Sequence, residues 1–183
     1  NVFSKKLLSK IGIISFDFGI DGASIEVAKY GKSLEKNFQQ LVSPKKVKDS
    51  NIVLIGGHFT KETKTIFPQT WKRIVASSVR GFGAWDGYEE YFGRPLNRGD
   101  TEYNELIKKL WTQIVSICIE LSDAIIQNKI QFLIPVNVNS NPGNVSLALA
   151  IVLVSEYLEL PVWGNHHDFF WDGGKSNRQR LLA

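Results

Sequence analysis

Four short apolar runs, each followed by a stretch long enough for a helix, constrain this chain more than any other feature. They are IGIISFD at 11–17, NIVLIGG at 51–57, FLIPVNV at 132–138 and LPVWG at 160–164. The first three are mostly apolar and rich in β-branched residues and the fourth is a short apolar run, the pattern of strands buried on both faces of a sheet. The strongest helical pattern lies at 102–128, where Leu106, Leu110, Ile114, Cys118, Leu121 and Ile125 recur at spacings of three and four, with Asp100 or Thr101 as the N-cap. A second helix is expected from Pro142 to about Leu158, capped by Asn141 with proline at its first position. Being apolar nearly all round, it should be covered on both sides, by the sheet and by another segment or domain. Strands alternating with helices predict an α/β fold: a Rossmann-like three-layer sandwich with a mostly parallel sheet and right-handed crossovers, as one domain over 1–183.

The connections differ in character. After the first strand, FGIDGASIEVAKYGKSLEKNF gives a turn at Asp21 and Gly22, then a helix with Ile25, Ala28 and Leu34 on one face. The N-terminus of such a helix favours anions, although a single glycine is not the dinucleotide fingerprint GxGxxG and also fits an ordinary tight turn. VSPKKVKDS at 42–50 is a polar surface connection. From Thr60 to Asp100 regularity is lost. WKRIVASSV is expected to be a short helix, and RGFGAWDGYEEYFGRPLNRGD is either a binding lid or an insertion packed by its own aromatics. Its candidate contacts are Arg80, Trp85, Asp86, Tyr88, Arg94 and Arg98.

Composition removes several classes of function. The net charge of +4 is scattered over Lys5, Lys6, Lys45, Lys46, Lys108, Lys109, Arg178 and Arg180 without forming a stripe, which argues against a nucleic-acid partner. No apolar run reaches the length of a membrane span and the start lacks a signal-peptide cleavage pattern, so a soluble, cytoplasmic protein is expected. Cys118 is alone, which excludes an internal disulfide and a metal–thiolate site. The chain has no methionine, not even an initiator, and reads as a piece of a longer protein.

The chemistry concentrates in LPVWGNHHDFFWDGG at 160–174, where a strand empties into His166, His167, Asp168 and Asp172 beside Phe169, Phe170 and Trp171. Ligands of open parallel sheets bind beyond the strands' carboxyl ends, near a switch in strand order. That rule gathers the loops at 17–22, 137–141 and 165–172 on one rim. Their neutral donors and acceptors, carboxylates, imidazoles and aromatic walls suit a polyhydroxylated ligand. His58, after the second strand, is open between a ligand contact and an exposed loop residue. A metal-dependent hydrolase using His166, His167 and Asp168, or a non-catalytic sugar-binding module, is the alternative from another class. Adjacent strand residues point to opposite faces, so both histidines on one metal would need a turn there.

The blocks FDFGIDGASIEVAKYGKSLEK, NVNSNPGNVSLALA and LELPVWGNHHDFFWDGG resemble the N-terminal Rossmann-like domain of retaining GT-B glycosyltransferases of group 1, family four. The resemblance implies an enzyme that transfers a sugar from a nucleotide-diphosphate sugar to a hydroxyl acceptor with retention. This domain would supply the acceptor side of the cleft, and a C-terminal domain, absent here, the donor side. It implies His167, with His166 as competitor, close to the reacting sugar. Asp21, Gly22 and Ala23 would lie near the donor phosphates, and Asn137, Asn139, Asn141, Asp168 and Trp171 would position the acceptor. It implies no tightly bound cofactor and no residue assigned as a metal ligand, while leaving room for a divalent metal accompanying the donor. Its other partners would be a small-molecule or carbohydrate acceptor and the C-terminal domain.

Overall fold

A computed structural model describes residues 10–41, 50–93 and 96–167. Its sheet contains β1 (Lys10–Ile14), β2 (Ile52–Gly56), β3 (Lys72–Val75) and β4 (Ile130–Pro135), in the order β3-β2-β1-β4, with every pairing parallel. The helices are α1 (Gly22–Leu41), α2 (Thr63–Ile66), α3 (Tyr88–Phe92), α4 (Thr101–Gln127) and α5 (Val145–Tyr157). A fifth extended segment lies parallel to the outer edge of β4 through the bridges Leu133↔Val162 and Val136↔Asn165. The expected strand at 160–164 is therefore present in position, but as two bridges without a continuous ladder. The helices flank the sheet on both faces, giving a Rossmann-like α/β sandwich.

Strand periodicity divides the core. Ile11, Ile13, Ile52, Leu54 and Ile134 join Val27 and Ala28 of α1 on one face. Ile14, Val53, Ile55 and Leu133 join Ile114, Ile117, Leu121 and Ile125 of α4 and Leu147, Ala150, Ile151 and Val154 of α5 on the other. Both faces are covered, which is why the strands read as unbroken apolar runs. Cys118, part-buried on α4 against α5, has its thiol 3.8 Å from the Ala150 carbonyl, and burial pushes that thiol's pKa up.

Two sequence expectations are corrected. WKRIVASSV is not a helix: Lys72–Val75 forms the edge strand β3 and Ser77–Val79 a short 3-10 turn. The pairing Leu54↔Arg73 and Ile55↔Ile74 wins because β2 presents a free edge, which no local propensity encodes. The last helix begins at Val145, and its cap is Asn144, whose Oδ1 accepts the Leu147 N–H at 3.0 Å. Asn141 lies upstream, in a turn closed by its N–H to the Asn137 carbonyl at 3.2 Å. The covering expected on the outside of α5 is not found among the described residues, where Leu149, Val152 and Leu153 are 42–50% exposed.

The irregular 60–100 region follows the second of its two expected descriptions. Trp85 stacks on Tyr91 at 5.3 Å and meets Phe92 edge-on, while Tyr88 packs on Phe82 and Phe92. Phe82 in turn packs against Phe16 at the end of β1. The aromatics of this insertion are largely spent on one another. Arg94 lies outside the described residues.

Gly31, mid-way along α1, lets that helix seat against Trp71, which is 2% exposed and donates its indole N–H to Glu35 at 3.1 Å. A Cβ at residue 31 would overlap the Trp71 ring. Alanine gains about 1 kcal/mol of helix propensity, but displacing a pinned indole costs about 1–3 kcal/mol. Gly31→Ala is therefore expected to lower stability by about 1 kcal/mol, read as a lower urea midpoint. An unchanged or raised midpoint would show that Trp71 yields freely.

Candidate functional site

With the fifth segment beyond β4, the strand order reverses between β1 and β4. Loops diverge there to opposite faces and leave a crevice beyond the carboxyl ends. The β1 loop runs out alongside the β2 loop, with the Phe18 N–H to the His58 carbonyl at 2.9 Å and the Thr60 N–H to the Phe18 carbonyl at 3.0 Å. His58 itself is exposed. At the end of β1, Asp17 forms an ion pair with Arg80, whose Nε is 3.4 Å from Oδ1. Both side chains are substantially exposed, so the pair contributes little to stability and serves to tie the β1 and β3 exits together.

The start of α1 is built by Asp21. One carboxylate oxygen accepts the Ser24 N–H at 2.7 Å and the other the Ser24 hydroxyl at 3.0 Å. The Ser24 oxygen in turn accepts the Gly19 N–H at 3.1 Å. This is an N-cap, worth about 1 kcal/mol. Asp21 is thus a capping residue whose negative charge already occupies the helix end. A Cβ added at Gly22 meets nothing within 4 Å, so no neighbouring atom demands glycine there, and Ala23 packs against the α1-side core.

The β4 loop and the fifth segment are joined through Asn137. Its N–H donates to the Asn165 carbonyl at 2.9 Å, and the Asn165 N–H donates to the Pro135 carbonyl at 2.9 Å. Asn137 holds φ at +59°, a left-handed conformation that asparagine tolerates better than most residues. That backbone aims its side chain at the next segment, where Oδ1 accepts the His167 N–H at 2.6 Å. The His167 ring then turns to α1, its Nδ1 lying 3.0 Å from Glu26 Oε2. Glu26 sits one turn inside α1 and gives no sequence signal of its own; only the folded chain reveals it as part of this site.

Among the described residues, buried polar side-chain atoms without a hydrogen-bond partner at this edge include His167 Nε2, Asn141 Oδ1 and Ser140 Oγ. Leaving such groups unpaired costs about 1–3 kcal/mol each, so each of them calls for a partner beyond the described residues, whether water, another part of the chain or a ligand. His166 departs in another direction. It lines a groove of about 430 Å³ with Tyr30, Ser33, Leu34, Ile134, Trp163 and Asn165 on the α1 flank, and its ring lies over Gly164, where a Cβ would strike Nε2. Burial raises the Tyr30 phenol well above its ordinary range, the Asn165 side chain opposing this and the Glu26 charge adding to it, so Tyr30 stays neutral.

The residues singled out from sequence are therefore distributed as follows. Asn137, Asn141 and His167 meet in one hydrogen-bonded set, and Glu26 links it to the α1 turn that begins at Asp21, Gly22 and Ala23. Asn139 is drawn aside, exposed and donating to the Ala148 carbonyl at 3.1 Å. Asp168 and Trp171 lie outside the described residues. Among the described residues there is no group of three or more His, Cys, Asp or Glu placed to hold a metal ion, and no helix is long and apolar enough to cross a membrane. The chain matches no family model, no curated protein and no solved structure.

Proposed function

We propose that this chain is the acceptor-side domain of a retaining GT-B glycosyltransferase, which moves a sugar from a nucleotide-diphosphate donor to an acceptor hydroxyl. The observation that carries the reading is the set of unpaired buried polar atoms around His167, Asn141 and Ser140 at the switch point. Neutral acceptors and hydroxyl groups fixed by a rigid backbone are what a polyol requires, since each sugar hydroxyl both donates and accepts. Within their described residues, the sequence blocks that resemble the family include the loops at 17–22, 137–141 and 165–167.

In this reading the domain holds and orients, and contributes no nucleophile. Transfer with retention proceeds on one face of the sugar through an oxocarbenium-like transition state, and the departing diphosphate needs positive potential. The backbone N–H groups of Gly22 and Ala23 face that charge, while the Asp21 carboxylate works against it and serves the helix instead. His167 and Asn141 fix the acceptor hydroxyl for attack on the face that the diphosphate leaves, the departing diphosphate taking up the hydroxyl proton, and correct placement alone can supply several kcal/mol of barrier lowering. The donor-binding C-terminal domain completes the cleft. A divalent ion accompanying the donor diphosphate would have to be held largely by the donor and that domain.

The test is to assay the protein carrying both halves against a panel of nucleotide-diphosphate sugars and hydroxyl acceptors, following product and released diphosphate. Sugar transfer with the donor's anomeric configuration preserved supports the reading. Neither transfer nor donor hydrolysis across the panel would remove it in favour of a sugar-binding module.

A further inference from the structure

We infer that Glu26 is the positioning residue of this site, holding the His167 imidazole as its Nδ1–H tautomer so that Nε2 offers a lone pair to a ligand hydroxyl. The inference rests on the reading of the rim as one that handles hydroxyl groups. A carboxylate only accepts hydrogen bonds, so with Glu26 Oε2 3.0 Å from Nδ1 the proton of the neutral ring belongs on that nitrogen. Nε2, the opposite nitrogen, is buried and has no hydrogen-bond partner among the described residues. In the free side chain the Nε2–H tautomer is the preferred one, so the Glu26 contact reverses the polarity that the ring would otherwise present.

Two anchors act on different parts of the same residue. Asn137 Oδ1 takes the backbone N–H of His167 at 2.6 Å and fixes where the ring is attached. Glu26, from a different element, fixes how the ring is turned and which nitrogen carries the proton. With both in place Nε2 accepts a hydrogen bond from a donor hydroxyl. A deoxy or O-methyl analogue at that position cannot supply it, which makes the contact a determinant of substrate choice. Without Glu26 the ring presents an N–H instead, suited to an ether or carbonyl oxygen.

Long-range proton–nitrogen correlation spectra of the uniformly ¹⁵N-labelled 183-residue chain decide the matter. They are recorded with the pH raised stepwise until the ring-nitrogen shifts stop changing, so that the neutral rings are observed. His58, His166 and His167 are assigned by substituting each with glutamine. The expected result is a pyrrole-type Nδ1 and a pyridine-type Nε2 for His167, with the pattern mixed or inverted in Glu26→Ala and retained in Glu26→Asp. An Nε2–H ring in the unaltered chain, or the same Nδ1–H ring in Glu26→Ala, overturns the proposal. Should Glu26→Ala fail to fold, Glu26→Leu, which keeps bulk but has no acceptor, takes its place, with loss of the pure Nδ1–H pattern expected and its full retention overturning the inference. This readout needs no turnover. A tautomer change in a protein that transfers no sugar leaves Glu26 as positioned here and removes the enzymatic reading. In an active enzyme, Glu26→Ala should lower kcat about 10- to 100-fold, with Glu26→Asp recovering part of the loss.

Discussion

Replacing Asn144 by alanine is expected to lower the stability of this chain by about 3 kcal/mol, a large share of the 5–15 kcal/mol typical of a single domain. Asn144 is fully buried, and three groups depend on it. Its Oδ1 caps α5 through the Leu147 N–H at 3.0 Å, and its Nδ2 donates to the Arg80 carbonyl at 2.8 Å and the Ser78 carbonyl at 3.3 Å. Loss of the cap alone costs about 1 kcal/mol. Stranding the partner carbonyls, which lie in a part-buried setting, adds about 1–3 kcal/mol more.

The companion variants separate these contributions. Asn144→Ser keeps a capping oxygen and no donor long enough for the two carbonyls, so it should recover about 1 kcal/mol or less. Asn144→Asp should do no better, because its carboxylate would face two carbonyl oxygens. Asn139→Ala, on an exposed residue of the same loop, should change stability by less than about 0.5 kcal/mol. Urea unfolding with an unchanged m-value reads all four. A loss below about 1 kcal/mol in Asn144→Ala would mean that the chain between β3 and the aromatic insertion does not depend on this residue. The consequence extends to the site, because Arg80, held here by its own carbonyl, carries the ion pair to Asp17 at the end of β1.

The second large effect is expected on turnover. On the function proposed above, His167→Ala in the protein carrying both halves should lower kcat/KM by about 10²–10⁴, the range for removing a side chain that handles a reacting hydroxyl. Stability should change by no more than about 1 kcal/mol, because the bond that fastens this segment runs from the backbone N–H of His167 to Asn137 and survives the substitution. His166→Ala should reduce turnover less than about tenfold, as its ring faces the groove on the α1 flank. If activity and stability fell together in His167→Ala, the histidine would be a structural part of the loop and no part of the chemistry. If His166→Ala were the more damaging, the site would lie on the α1 flank.

These two residues also show how far the chain could be read before folding. The α/β class, the parallel central strands, both long helices and the rim carrying Asn137, Asn141 and His167 follow from short apolar runs, helical spacing and the rule that parallel sheets bind at their carboxyl ends. Those signals are local or topological, and a linear sequence carries them in full. Asn144 and Asn141 are a different case. Both stand before α5 in NSNPGNV, and Asn141 has the stronger local credentials, with proline behind it. The choice falls to Asn144 because two carbonyls from residues 78 and 80, over sixty positions away, need its donors.

The same reason explains the edge strand Lys72–Val75, whose identity comes from the unpaired side of β2, and the Glu26–His167 contact, which joins α1 to a segment 141 residues later. Sequence by itself determined the three central strands and the long helices α1 and α4, because their patterns repeat within a few residues. Tertiary structure alone decided which polar groups meet, since hydrogen bonding depends on distance and angle between elements, and nothing in the local chain encodes either.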